Sequence, residues 1–258
     1  MARTSAVERS KRRAPGARLP GAAGLGARGA GAARGHGASV AGSGGGALAV
    51  VRIVVVRHGI TEWNAARRFQ GQTDIALSEV GRLQARSVGK RLHAERFQLC
   101  VASDLQRTRE TAERILAEIA HPPTLHLEPE LREMNFGVWE GLTFDEVAAR
   151  WPDEASNFHH HSLLAPPGGE TWAQFDARVT RGFERHRARV DSGAALLLVV
   201  HGGVIHALVR RLMNLGDRPA PIHVDPAGVT EIETEGETAW MRLLNDRCHL
   251  EGLSKADS

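Results

Sequence analysis

Ile53-Val54-Val55-Val56-Arg57-His58-Gly59-Ile60-Thr61-Glu62-Trp63-Asn64 opens with four consecutive β-branched residues and then turns at His58-Gly59. A short unbroken apolar run of this kind marks a strand covered on both faces, as in a parallel sheet. The pattern returns far downstream, where Ala195-Leu196-Leu197-Leu198-Val199-Val200 runs into His201-Gly202-Gly203. In open α/β sheets, ligands bind beyond the carboxyl ends of the parallel strands. Two strand–His–Gly junctions therefore predict a crevice shared by His58 and His201. A histidine at a strand end, with arginine before it and glycine after it, is well placed to attack a phosphoryl group.

The rest of the chain from Val51 alternates in the same style. Strands are expected at 52–57, 98–102, 124–127, 195–200, 228–233 and 238–243. Apolar residues at helical spacing mark four helices. Val80, Leu83, Val88 and Leu92 place one from Ser78, a natural N-cap, to about Glu95. Ala112, Ile115, Leu116 and Ile119 mark the second, and Trp172, Phe175, Val179 and Phe183 the third. Val204, Ile205, Leu208, Val209 and Leu212 mark the fourth, over 203–213. Strands alternating with helices predict an α/β sheet, mostly parallel at its centre. The last two strands, joined across Glu235-Gly236-Glu237, read as an antiparallel hairpin at one edge. Residues 152–169 read as a long irregular stretch and the best place for a lid or specificity loop.

Charge divides the chain unequally. The 258 residues hold 33 basic and 30 acidic side chains, a net of +3. Residues 1–49 hold eight of the bases and one acid, which leaves 25 against 29 on the remainder, a net of −4. The basic pI comes from the tail and gives no reason to expect a nucleic-acid partner. That tail is Gly/Ala/Arg-rich, without apolar periodicity, and is expected to lack fixed structure. A transit peptide fits its arginines, but twelve glycines oppose the amphipathic helix such peptides form. Arg28 and Arg34 interrupt the apolar region that a twin-arginine signal at Arg12-Arg13 would need. An over-extended start, with the natural one near Val51, is the favoured expectation. The division expected is thus 1–49 tail, 50–253 catalytic domain and 254–258 C-terminal tail. Cys100 and Cys248 lie in no C-x-x-C or zinc spacing, and Cys100 reads as a small buried hydrophobe. No run is long enough to cross a bilayer, so no membrane partner and a cytoplasmic location are expected.

Phosphoryl transfer asks a protein mainly for positioning and for charge on the transferring oxygens. Arg57 precedes His58, and Arg107 follows the second strand in Ser103-Asp104-Leu105-Gln106-Arg107. A guanidinium fork meets two phosphate oxygens at once and stays cationic. Two arginines and a second histidine should depress the pKa of His58 and keep it neutral and nucleophilic. Gly59, Gly202 and Gly203 allow close backbone approach, and N–H groups opening the 203–213 helix add an expected anion site. The leaving alkoxide needs a proton, and Glu133 in Leu131-Arg132-Glu133-Met134-Asn135-Phe136-Gly137 is best placed to supply it. A phosphate dianion beside it would favour its protonated form, as a general acid requires.

Taken together these stretches resemble the histidine phosphatase superfamily, in the branch that includes cofactor-dependent phosphoglycerate mutase. The resemblance is carried by Arg57-His58-Gly59-x-Thr61-x-x-Asn64, Arg68-x-Gln70-Gly71-x-x-Asp74-x-x-Leu77-x-x-x-Gly81 and Ser103-Asp104-Leu105-x-Arg107-x-x-x-Thr111-Ala112. Leu131-x-Glu133-x-x-Phe136-Gly137-x-Trp139-Glu140-Gly141 and Val200-His201-Gly202-Gly203 add to it, so it spans 51–253. It implies a three-layer α/β/α sandwich with a mostly parallel central sheet and an antiparallel edge. It further implies His58 as phosphoacceptor, Arg57, Arg107 and His201 as the phosphate pocket, and Glu133 as proton donor. Thr61, Asn64, Gln70, Gly71 and Gly202 would bind substrate, with no metal and no cofactor.

A mutase must hold a second anionic group, and its relatives carry paired arginines after the acidic residue; here 134–170 contains only Arg150. Phe136-Gly137-Val138-Trp139-Glu140-Gly141-Leu142-Thr143 and Pro167-Gly168-Gly169-Glu170-Thr171 resemble alpha-ribazole phosphatase and broad-specificity sugar phosphatases instead. The expected partner is a small phosphate ester, with a homodimer left open. A phosphoglycerate mutase and a non-catalytic phosphate-binding relative are the alternatives. His159-His160-His161 reads as solvated loop residues rather than a metal site, because no Asp or Cys ligand lies nearby. Trp139, Trp151 and Trp172 read as anchors, and Glu62 and Asp104 as pocket rim or as orienters of neighbouring arginines.

Overall fold

The computed structural model describes residues 50–158, 165–216 and 222–253. The expected tails and His159-His160-His161 lie outside them. Six strands, β1 (Val50–Arg57), β2 (Leu99–Ala102), β3 (Leu125–Leu127), β4 (Ala195–Val200), β5 (Val229–Glu235) and β6 (Thr238–Asp246), form one sheet in the order β3-β2-β4-β1-β5-β6. β3, β2, β4 and β1 run parallel; β5 is antiparallel to β1, and β6 to β5. All six expected strands are present, and the β5–β6 hairpin closes one edge.

Strand alternation sorts the central residues between two cores. Ile53, Val55, Leu196, Leu198 and Val200 face one layer, with Phe175, Val179 and Phe183 of α6 (Trp172–Arg187) and Val204, Ile205 and Leu208 of α7 (Gly202–Leu212). Val54, Val56, Leu197, Val199 and Cys100 face the other, with Val88 of α2 (Glu79–Arg91) and Ala112 and Ile115 of α3 (Gln106–Leu116). The result is the three-layer sandwich. Burial pushes the Cys100 thiol up to about 12, the behaviour of an inert core residue.

Two expectations need correction. α2 ends at Arg91, and Leu83 faces solvent, 43% exposed. The buried side of that helix is Val88 with the small residues Gly81, Ala85 and Gly89, which let it lie close to its neighbours. The stretch 152–169 is not wholly irregular, because α4 (Phe144–Arg150) is followed at once by α5 (Pro152–Phe158). Proline in the first helical turn forfeits no intrahelical bond, so Pro152 starts this helix instead of forbidding one. Val147 and Ala155 of the pair bury Trp139, with Trp151 and Phe136 packed against them, so the tryptophans anchor this corner as expected. Among the described residues no helix is long and apolar enough to cross a membrane.

Candidate active site

Arg57 and Val200 are register partners on β1 and β4, so the chain leaves the two strands at one level. His58 N–H still donates to Val200 O at 2.9 Å, extending the ladder by one residue. The imidazoles of His58 and His201 meet edge-on with centroids 5.2 Å apart, 3% and 0% exposed. His58 Nδ1 lies 2.7 Å from the carbonyl oxygen of Gly59. A carbonyl only accepts, so Nδ1 carries the hydrogen and Nε2 is left with its lone pair. Gly59 N–H donates to Thr111 Oγ1 at 3.1 Å, which ties this junction to α3.

Arg107 enters from the first turn of α3 and is 1% exposed. The α3 N-cap, Leu105, has no capping side chain; Asp74 Oδ1 takes the Gln106 N–H at 2.6 Å instead. The loop containing Gly71 and Thr73 wraps the guanidinium, offering Thr73 O to Nη1 at 2.9 Å and Gly71 O to Nη2 at 2.6 Å. That loop is held by Glu140, whose carboxylate accepts from the N–H groups of Gln72, Thr73 and Phe136 and from the Thr73 hydroxyl. Gly71 has φ +53°, and a Cβ there would overlap the Glu140 carboxylate, so only glycine suits. Arg57 is fixed by Nη1 donating to Val224 O at 2.7 Å.

Four buried nitrogens here have no hydrogen-bond partner among the described residues: Arg57 Nε, Arg107 Nε and both ring nitrogens of His201. Such groups are costly when unsatisfied, and their convergence calls for a ligand rich in acceptor oxygens. Burial, and then the Arg107 and Arg57 cations, hold the His58 imidazole well below its ordinary pKa. Like charge was the expected cause, but desolvation is the larger one. His201 is depressed in the same direction by burial first, then by Arg107, His58, Arg57 and Arg178. Burial lowers Arg107 to about 10 and lowers Arg57 as well, with Glu133 opposing both shifts. Arg107 therefore stays cationic at neutral pH.

Glu133 faces this cluster from the loop after β3. Its Oε1 accepts from Met134 N–H and its Oε2 from Gly203 N–H, each at 3.0 Å. The expected anion site at the start of the 203–213 helix is thus partly taken by this carboxylate, which suits the positive end of α7. A cavity of about 160 Å³ opens among these groups, lined by Arg57, His58, Asn64, Gln70, Arg107 and Glu133, with Gly71 also on its wall. A larger cavity of about 580 Å³ beside Val80, Gln84 and Leu253 contains none of them.

The remaining expected binding residues divide. Asn64, Gln70 and Gly71 line the cavity. Thr61 is fully buried, and its hydroxyl accepts from Asn64 N–H at 3.1 Å and donates to Gln70 Oε1 at 3.0 Å, so it shapes the wall. Gly202 lies against the Arg57 guanidinium. Asp104 orients Arg132 through a two-pronged ion pair, the second of the two roles expected for it. Sequence reading missed Arg68, Phe69 and Phe136, which complete the cavity wall, and the supporting residues Glu140, Asp74, Arg178 and Glu170.

Residues 53–247 match the family model described as histidine phosphatase superfamily (branch 1). A 2,3-bisphosphoglycerate-dependent phosphoglycerate mutase from Methylobacterium sp. is 37% identical over 175 residues, covering 66% of this chain and 84% of that one. The solved structure of a mycobacterial glucosyl-3-phosphoglycerate phosphatase matches at 30% identity and TM-score 0.69, covering 77% of this chain and all of that one (100%). An alpha-ribazole phosphatase structure from Shigella flexneri matches at 28% identity and TM-score 0.66, covering 76% and 96%.

Proposed function

This chain belongs to the histidine phosphatase superfamily, and on that premise we propose that it is a metal-independent phosphomonoester hydrolase acting through a phosphohistidine on His58. One observation carries the reading. A neutral imidazole, its Nδ1 held by a carbonyl, stands among buried nitrogens of Arg57, Arg107 and His201 that have no partner among the described residues. A phosphoryl group offers acceptor oxygens to the two guanidinium Nε–H groups and to the one N–H that a neutral His201 carries, and the two guanidinium groups supply the charge stabilisation that the transfer requires.

In the first half-reaction the Nε2 lone pair of His58 attacks phosphorus and the bond to the alcohol oxygen breaks. Glu133, as the carboxylic acid, gives its proton to the departing alkoxide. In the second, the Glu133 carboxylate takes a proton from water, whose oxygen attacks phosphorus. The P–N bond breaks, inorganic phosphate leaves, and His58 is restored. Arg57, Arg107 and His201 hold the non-bridging oxygens throughout.

The substrate is proposed as a small phosphorylated metabolite, alpha-ribazole phosphate or a sugar phosphate. The similarity to a phosphatase named for alpha-ribazole and to one named for glucosyl-3-phosphoglycerate, an ester that carries a sugar, supports this. The mutase-named relative keeps a second reading open, in which 2- and 3-phosphoglycerate interconvert. Against it, none of the lining residues between 134 and 170 is an arginine. The test is to denature the protein in mid-turnover with labelled aryl phosphate and locate the label by mass spectrometry. Acid-labile phosphate on His58, lost in His58→Ala together with turnover and unaffected by chelators, is the expected result. Label on another side chain, or activity that EDTA abolishes, defeats the proposal. Incubation with 3-phosphoglycerate and bisphosphoglycerate decides between hydrolysis and mutation.

A further inference from the structure

Glu133 lies on a segment with no sheet ladder of its own. Between β3 and α4 the chain forms only single turns at Pro129–Leu131 and Gly137–Trp139. The Gly203 N–H seats the carboxylate itself, and some other contact must hold the backbone that carries it. α6 provides it through Arg178, whose side chain is 16% exposed. Nη1 donates to Glu130 O at 2.8 Å and to Arg132 O at 2.9 Å, and Nη2 donates to Glu133 O at 3.2 Å. The same guanidinium pairs with Glu170, itself 15% exposed, and stacks over the Phe175 ring at 5.2 Å. Glu170 then holds the far side of the acid: its Oε1 accepts from Asn135 N–H at 2.7 Å, and its own N–H donates to Asn135 O at 3.0 Å.

We propose that the Arg178–Glu170 pair is the positioning device for the proton donor, gripping the backbone on both sides of Glu133 so that its carboxyl meets the leaving oxygen. The inference rests on the reading of Glu133 as that donor. Three carbonyls and a carboxylate arranged around one planar cation call for a guanidinium fork, and an ammonium meets only part of the set. Neither residue lines the cavity; the charge of Arg178 also acts on His201, an effect that Arg178→Lys preserves, so the loss that variant reads passes through Glu133. A loss of alignment on the order of 1 Å costs about a hundredfold in rate, comparable with the contribution of a general acid.

The test compares kcat/KM on dinitrophenyl phosphate, whose phenolate leaves without a proton, with kcat/KM on β-glycerophosphate, whose alkoxide does not. Arg178→Lys is expected to lower the second by about ten- to a hundredfold and the first by less than about threefold. In a Glu133→Gln background the same change is expected to cost nothing further on β-glycerophosphate, because both act through one proton transfer. If Arg178→Lys does not fold, Arg178→Met with Glu170→Gln removes the buried pair together and is read in the same way. Equal losses on both esters, or full additivity with Glu133→Gln, would make Arg178 a purely structural residue and overturn the inference while leaving the donor in place. If Glu133→Gln is itself blind to the leaving group, the donor assignment falls, and this inference with it.

Discussion

At the scale of single residues, the proposed chemistry depends on two imidazoles kept neutral by burial beside two cations. That has a cost with a defined sign. The folded protein holds His58 and His201 unprotonated, whereas in the unfolded chain both take up protons below about pH 6.5. The unfolded state then binds more protons, so stability falls as pH drops from about 6.5, by up to about 1.4 kcal/mol per pH unit for each ring. Above that pH the two rings contribute no slope. Denaturant titrations of the wild type and of His201→Asn between pH 7 and 5 should show a shallower decline in the variant; matching slopes would mean His201 titrates like a free imidazole. The convergence of Arg57, His58, Arg107 and His201 is legible in the sequence, since each stands beside a strand end or a helix start, and Glu133 is legible from its place in the loop after β3. Glu140, Arg178 and Glu170 are not. They act on backbone N–H and C=O groups that only the folded chain brings to them, and no spacing rule records such contacts.

At the scale of elements, the start of α7 is the most informative. Gly203 gives its N–H to Glu133, and a Cβ at that position would collide with Glu133 Oε1, the free end of a flexible side chain. Gly203→Ala should therefore fold, because the carboxylate can swing aside, yet lose about a hundredfold in kcat/KM through misplacement of the acid. Its melting temperature should stay within a few degrees of the wild type. An active Gly203→Ala would show that the seat of Glu133 on this helix has no catalytic weight. The strands were readable as runs of Val, Ile and Leu, and α6 and α7 by their apolar period. α4 is not legible although Thr143 and Glu146 form a capping box, because its seven residues bury only Val147 and so are too short to show an apolar period. α5 lies inside 152–169, a stretch that reads as irregular because it shows no sustained apolar period.

At the scale of the whole molecule, every residue of the proposed site lies between Arg57 and Gly203, and the sheet pairing is complete from Val50 onward. A protein beginning at Gly46 should thus hydrolyse aryl phosphate with the kcat/KM of the full chain. It should also migrate as a net acid, since the +7 of residues 1–49 departs and −4 remains. A fall in kcat/KM on truncation would give the tail a part in the site. The register of β1 against β4 carries one more consequence. Because the two imidazoles leave neighbouring strands at a common height, the proposed bond-breaking centre is set by the sheet's own backbone spacing. The surfaces that would meet the alcohol are built instead from Arg68, Phe69 and Phe136, on loops outside the ladder. Selectivity for one ester over another can therefore drift by surface-loop change while the reaction itself stays untouched.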